Sequence, residues 1–358
     1  MRCSHTGWLS WSQRGWTLIA LVSFLLLGIS EPAGAQLADL IKKAAGENEI
    51  IFQISEPRGK YSTAQVEQQL SDLVQKRFGV EVNIKFNFAL SFPAAAARTL
   101  TEIKTGSYPS YDLMYQTTGT AIGLYRENTI HPVRWRELFN WISEKELSYG
   151  GQAIVVSTTF LLPVYNTNVV KPGDVPKSWD ELLDAKWKGK LATPIYQDMW
   201  PNMAQSEIWG EPRTREFLKK ISLQNPVLGR FPEIEAKVIS GEVPVAVVTN
   251  TWSVDHYRAK GAPIAYAAVE PVIVFVRLAF VPKNARRPSA ATLVASTLLT
   301  PQGQTILADG WAASSLFQPN TPAAKFAAGK KLALPNVEFE KEKGLALQKE
   351  YERIILKR

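Results

Sequence analysis

Eight side chains carry most of the recognition chemistry legible in this sequence, and they fall in four short stretches. These are Glu56 with Arg58, Thr117 with Thr118, Tyr196 with Asp198, and Thr249 with Trp252. Each stretch follows a short apolar run and precedes a segment of helical periodicity. Loops at the carboxyl ends of parallel strands, where helix amino termini present N–H groups, are the places where such side chains meet a ligand. Hydroxyls, amides and aromatics in those loops suit a cleft for a small polar molecule. Arg58 offers a guanidinium for bidentate pairing with a carboxylate or phosphate. A solvated surface arginine accounts for it equally well. Tyr61, Tyr115, Tyr196, Trp200 and Trp252 would form an aromatic box for an amine, although core or rim packing explains each of them singly.

Metal and covalent chemistry have less support. Beyond the amino-terminal region the histidines are His131 and His256, and neither has a partner at ligand spacing. His131 precedes Pro132 and reads as a loop residue; His256, between Asp255 and Tyr257, reads as solvated. No G-x-S-x-G, H-E-x-x-H, G-x-G-x-x-G or phosphate-loop pattern occurs. The expectation is a binding protein without a catalytic residue and without a cofactor. Whether a metal is bound stays open.

The elements that must position these side chains follow from periodicity. Glu49–Ile54 is a short buried strand. Ser62 with Gln65 forms a capping box. Val66, Leu70, Leu73, Val74 and Phe78 then recur on one helical face, and Gly79 ends the helix. Val80–Phe88 alternates strictly, with Val82, Ile84, Phe86 and Phe88 on the apolar face. Strand, helix, strand is the signature of a parallel sheet. A helix over 94–105 and a strand over 112–115 follow. The second half repeats the rhythm: a capping box at Ser178 and Glu181, a strand over 190–193, helices over 211–221 and 232–240, and a strand over 243–248. Two extended apolar stretches, Val155–Tyr165 and Ile264–Val276, separate the halves and read as crossings. Thr300-Pro301 opens a helix, and Leu347, Tyr351, Ile354 and Ile355 mark the apolar stripe of the last.

Length and composition agree with two globular domains: 358 residues, 46% hydrophobic and 21% charged. The net charge of +8 is spread along the chain with no basic block of five, so no nucleic-acid partner is expected. Arg2 and Arg14, the 12-residue apolar run Leu18–Ile29, and Ala33-Gly34-Ala35 read as a cleaved signal peptide over 1–35. A membrane-spanning helix needs about 20 apolar residues, more than this run supplies. Cys3 is the single cysteine, so the mature chain would have none, consistent with export to an oxidising periplasm without disulfides.

Several segments, in order, resemble a known family. They are Glu47–Ile54; Lys76–Val82, with its Phe78-Gly79-Val80-Glu81-Val82 joint; Pro109–Leu113; Val164–Thr167; Val175–Leu183; Trp187–Leu191; Ser240–Ala246; Lys260–Ile264; and Thr300–Gln304. Together they cover most of 47–310 and resemble bacterial periplasmic solute-binding proteins of the type II fold, in the extracellular solute-binding family that includes ferric-iron binders. The resemblance implies a two-lobed α/β clamshell of two parallel-sheet lobes joined by two extended hinge crossings. It also implies capture of a small solute between the lobes and delivery to the membrane permease of an ABC importer. Ferric binders of the family commonly use an adjacent tyrosine pair in the second lobe, and no Tyr-Tyr dipeptide occurs here.

The expected organisation is therefore a signal peptide over 1–35, lobe 1 over 36–163 plus 272–358, lobe 2 over 167–268, and hinge segments near 155–166 and 264–276. The expected cargo is ferric iron or an iron complex, or a small organic or inorganic anion, bound by a monomer. The alternatives are a secreted α/β hydrolase, or a ligand receptor coupled to a sensor.

Overall fold

The computed structural model describes residues 33–57 and 59–357. Most of the expected signal peptide, and Arg58, lie outside the described residues. The first helix, α1 (Ala33–Ala44), runs through the expected cleavage point before Gln36.

One mixed sheet organises the chain. Its strands are β1 (Glu49–Gln53), β2 (Asn83–Asn87), β3 (Leu113–Thr117), β4 (Leu147–Ser148), β5 (Ala153–Asn166), β6 (Leu191–Pro194), β7 (Val227–Gly229), β8 (Val245–Asn250), β9 (Ile264–Tyr266), β10 (Val272–Phe280) and β11 (Leu332–Ala333). Along the main path the order is β2-β1-β3-β10-β5-β8-β6-β7, with β4, β9 and β11 on the margins. β1 pairs in parallel with β2 and β3, and β6 pairs in parallel with β7 and β8. Between these two parallel groups lie β5 and β10, antiparallel to each other and to the strands beside them. The fold is thus two parallel-stranded α/β halves joined by two long crossing strands.

Local signals explain the first half. The Ser62 box caps α2 (Thr63–Phe78), and Gly79 closes it at φ 69°, a conformation that costs glycine no Cβ clash. Val66, Leu70 and Val74 on α2 pack behind β1 against Ile50 and Phe52, all fully buried. Burial of that kind stabilises by about 1.5–3 kcal/mol per large aliphatic side chain. Next come α3 (Phe92–Lys104), α4 (Thr118–Arg126) and the short α5 (Trp135–Leu138). The strand expected over 80–88 is shorter, and Phe88 leaves the apolar face at 42% exposure, because pairing with β1 ends at Asn87.

In the second half the Ser178 box does not open an α-helix. Only a 3-10 turn spans Asp180–Leu183. Trp179 is drawn into the core, where its indole N–H donates to Pro271 O at 3.0 Å and its ring lies edge-on to Trp200 and Phe217. The helices that cover this half are α6 (Gly210–Leu223), α7 (Phe231–Ser240) and α8 (Thr251–Ala259). The chain then returns. The extended run expected over 264–276 is instead two strands: β9 pairs with the far end of β5, the chain leaves the ladder, and β10 begins at Val272. After it come α9 (Pro288–Thr297), α10 (Pro301–Trp311), α11 (Pro322–Ala327), α12 (Val337–Phe339) and α13 (Leu345–Leu356). Leu347, Tyr351 and Ile355 are the buried stripe of α13. No helix among the described residues is long and apolar enough to cross a membrane.

Candidate functional site

A cavity of about 370 Å³ opens where the segments leaving β1, β6 and β8 converge on the crossing strands. Its first wall is built by the first half of the fold. Ser55 and Glu56 follow β1, Phe92 starts α3, Tyr115 stands on β3, and Trp311 ends α10. The β1 loop is strapped to α10. Trp311 Nε1 donates to Ser55 O at 2.8 Å, Gly59 N to Gly310 O at 2.9 Å, and Lys60 N to Asp309 O at 2.7 Å. A Cβ on Gly59 would lie 1.8 Å from Asp309 O, so only glycine allows this approach.

Arg277 completes that wall from β10. It faces Thr117 across the β3 ladder and Ser157 across the β5 ladder, and the β5 register shifts immediately after it. Such irregularities re-aim a side chain and recur beside functional sites. The guanidinium lies 5.5 Å from the Phe92 ring centroid and 5.8 Å from that of Phe275, within cation–π range. Its Nη1 is buried with no hydrogen-bond partner, while the guanidinium also bonds the Tyr115 hydroxyl and lies within electrostatic reach of the Asp198 carboxyl. Tyr115 stands beside it, its hydroxyl 2.6 Å from Ser157 Oγ. Burial pushes the Tyr115 phenol above its usual range, while the nearby Arg277 charge opposes that shift.

The second wall comes from the other half. Tyr196 follows β6, Phe231 and Glu235 lie on α7, Asn250 ends β8, and Trp252, His256 and Tyr257 lie on α8. Tyr196 is packed edge-to-face on Phe231 at 5.2 Å, and its hydroxyl accepts from Phe231 N at 3.2 Å. Burial pushes its phenol up to about 12, so it stays protonated at neutral pH. Asn250 caps α8, accepting from Ser253 N at 2.9 Å. Glu235 is 2% exposed. Its carboxylate accepts from the Thr249 hydroxyl and, at 3.5 Å, from Asn250 Nδ2. Burial pushes it up to about 7, and the hydrogen bonds from Thr249 and Ser253 moderate the shift.

Of the residues expected from sequence, Glu56, Tyr196 and Trp252 line this cavity. Arg58 lies outside the described residues. Thr249 sits just behind the wall as a donor to Glu235. Thr117, Thr118 and Asp198 do not line it. Thr117 caps α4 through a reciprocal box with Thr120, and its side chain is spent there. Thr118 donates to Glu340 Oε1 at 2.9 Å in a buried cluster with Tyr149, whose hydroxyl donates to Thr118 O. Asp198 is half-buried off the cavity lining, with its Oδ1 buried and unpartnered. Burial pushes its carboxyl up to about 6, with the Arg277 charge pulling the other way. Trp200, taken as an aromatic-box candidate, is fully buried in the Trp179–Phe217 core instead. His256 lines the cavity, 6.2 Å from the Trp252 ring, rather than standing in solvent.

Sequence reading missed Arg277, Glu235 and Asn250. A signal for Arg277 was present: it is the single charge in Val272–Phe280. Glu235 follows Pro232-Glu233-Ile234 at the opening of a helix, where acidic residues are ordinary. Among the described residues no group of three or more His, Cys, Asp or Glu is placed to hold a metal ion.

Comparison with known proteins places this architecture. Iron-bound HitA from Pseudomonas aeruginosa superposes with a TM-score of 0.62 at 16% identity, covering 85% of this chain and 99% of that one. A Trichodesmium FutA in complex with iron and citrate gives 0.67 at 18%, covering 86% and 99%. A protein described as a GABA receptor gives 0.65 at 13%, covering 87% and 98%. At these identities the likeness is one of fold, and the fold alone does not select a ligand. No curated protein matches the sequence. The model of the bacterial extracellular solute-binding protein family matches residues 72–333. With that match over most of its length, and the two-lobed periplasmic-binding-protein fold beneath it, this chain belongs to the bacterial extracellular solute-binding proteins.

Proposed function

We propose that the chain is the periplasmic substrate-binding component of an ABC-type importer, and that its cargo is a small organic carboxylate whose head group pairs with Arg277. The protein is exported by a cleaved signal peptide over 1–35 and works as a monomer that presents its loaded form to a membrane permease. Its lobes are 36–163 plus 272–358 and 167–268, closing about hinges near 155–166 and 264–276. Binding by hinge closure is an established repertoire of two-lobed proteins.

The observation that carries the carboxylate is the state of Arg277. A guanidinium in a partly dry cavity, with one nitrogen buried and unpartnered, is costly unless an anion arrives to complete it. Ferric iron has less support here, although the HitA neighbour is iron-bound. Of the cavity tyrosines, Tyr115 stands in the first wall and Tyr196 and Tyr257 in the second, none adjacent in sequence, and no group of three or more His, Cys, Asp or Glu is placed to hold a metal among the described residues.

Titration calorimetry with a panel of carboxylates and their neutral amides tests this reading. Carboxylates are expected to bind and their amides to fail. Arg277→Met should weaken binding by about 1.5–3 kcal/mol, the worth of a hydrogen bond to a charged group. Binding of ferric ion with a phenolate charge-transfer band that Tyr196→Phe abolishes, and no carboxylate binding, would overturn it.

A further inference from the structure

Glu235 is the cavity's buried carboxyl, and no lysine or arginine pairs with it among the described residues. The side chain is 2% exposed, yet it lines the cavity. Its partners are the neutral groups Thr249 Oγ1 and Asn250 Nδ2, with Ser253 adjacent. Arg277, the lysine or arginine that lines the cavity, belongs to the opposite face, and His256 on α8 lines the same wall. Glu56, the second carboxylate at the cavity, is exposed at the rim and reads as solvated. Around Glu235 the wall is aromatic: Phe231, Tyr196, Trp252 and Tyr257. Ring faces of this kind stabilise a positive nitrogen. A buried carboxyl ringed by aromatics and lacking a counter-ion either keeps a proton or ionises beside a cation that arrives from outside the chain.

Resting on the carboxylate reading above, we propose that the solute is a small amino-carboxylate, its ammonium held by Glu235 on the second wall while its carboxylate meets Arg277 on the first. Each pole of the ligand then belongs to a different half of the fold. Neither wall alone satisfies both charges, so the ligand favours the closed arrangement through its differential contacts. The bland reading of Glu235 is a brace that ties α7 to β8 and α8. That role needs the acceptor oxygen and not the negative charge, so Glu235→Gln keeps most of it while removing the charge.

The test uses the full-length mature protein and matched probes. These are the common α-amino acids and the ω-amino carboxylates of three to six carbons. Each is compared with the same carboxylate lacking the amine and the same amine lacking the carboxylate. At least one amino-carboxylate is expected to bind about tenfold to a hundredfold more tightly than its des-amino partner. Glu235→Gln should collapse that ratio towards one, with a melting temperature no lower than the parent's reporting an intact brace. Glu235→Asp should restore part of the ratio. Equal binding of a carboxylate with and without its amine would overturn the Glu235 assignment and leave the carboxylate reading standing. A ratio that survives Glu235→Gln would do the same. Binding of amines alone, or of no probe in the panel, would overturn both.

Discussion

The Thr118 hydroxyl donates to Glu340 Oε1 at 2.9 Å, joining the start of α4 to a carboxyl 222 residues further along the chain. The second oxygen of that carboxyl, Oε2, is buried without a partner. Burial pushes Glu340 up to about 7, and Asp198, which repels it, stands raised to about 6. Both folded values exceed the unfolded ones of about 4.3 and 3.9. The native state therefore holds protons that the unfolded chain releases, and stability falls as pH rises through the range from about 4 to 7. Melting temperature should rise when pH is lowered from 8 to 5.5. Glu102 and Glu350, held below the usual range by their hydrogen bonds and arginine partners, act in the opposite sense only at lower pH.

Removing the charge at that point has a matching signature. Glu340→Gln should stabilise the protein at pH 8, on the order of 2 kcal/mol, and flatten the dependence of melting temperature on pH. Thermal melts of both proteins at pH 5.5 and 8 decide it. A variant as pH-sensitive as the parent would mean that Glu340 is not among the titrating groups and leave Asp198 and Glu235 to carry the dependence.

Tyr115 and Ser157 share a short hydrogen bond between β3 and β5. Losing it should cost about 1 kcal/mol. Tyr115→Phe and Ser157→Ala should each destabilise by that amount, and the double variant by less than their sum. Urea denaturation of the four proteins in a cycle measures the coupling. Strict additivity would show that the two hydroxyls do not depend on each other.

Gly59 lets the β1 loop lie on α10. Gly59→Ala places a Cβ against Asp309 O, and either the loop or the helix end must move. A cost of about 1–3 kcal/mol is expected. Because the same loop carries Ser55 and Glu56 into the cavity, ligand affinity should fall with it, whereas Gly46→Ala, whose Cβ meets Lys43 O at an ordinary 3.5 Å, should do neither. Melting temperature and calorimetric affinity measured together check both halves of the statement.

Local rules carried the reading where neighbours in sequence decide the structure. The Ser62–Gln65 box, Gly79 and Gly241 all mark ends set within one turn of helix. The same pattern failed at Ser178, because Trp179 gains more from the Trp200–Phe217 core than from a helical turn. The loops around the cavity were legible as places, which is why Glu56, Tyr196 and Trp252 were named. Side-chain direction was not. Thr117 and Thr118 sit one residue too far along and point into a cap and a buried cluster. Arg277 and Glu235 needed the tertiary map, since a charge on a strand or a helix looks like a solvated face until the opposite half is in place.

The position of β10 has a consequence for how the molecule is made. This strand fills the gap between β3 and β5, yet it is synthesised after the whole second half. Until residue 280 emerges, β3 has an open edge and the first half cannot complete its sheet. Pairings of such long sequence separation fold slowly, because loop-closure entropy is lost before the contacts form. If the chain crosses a membrane unfolded, as the proposed export requires, a late keystone strand would delay compaction until export is under way.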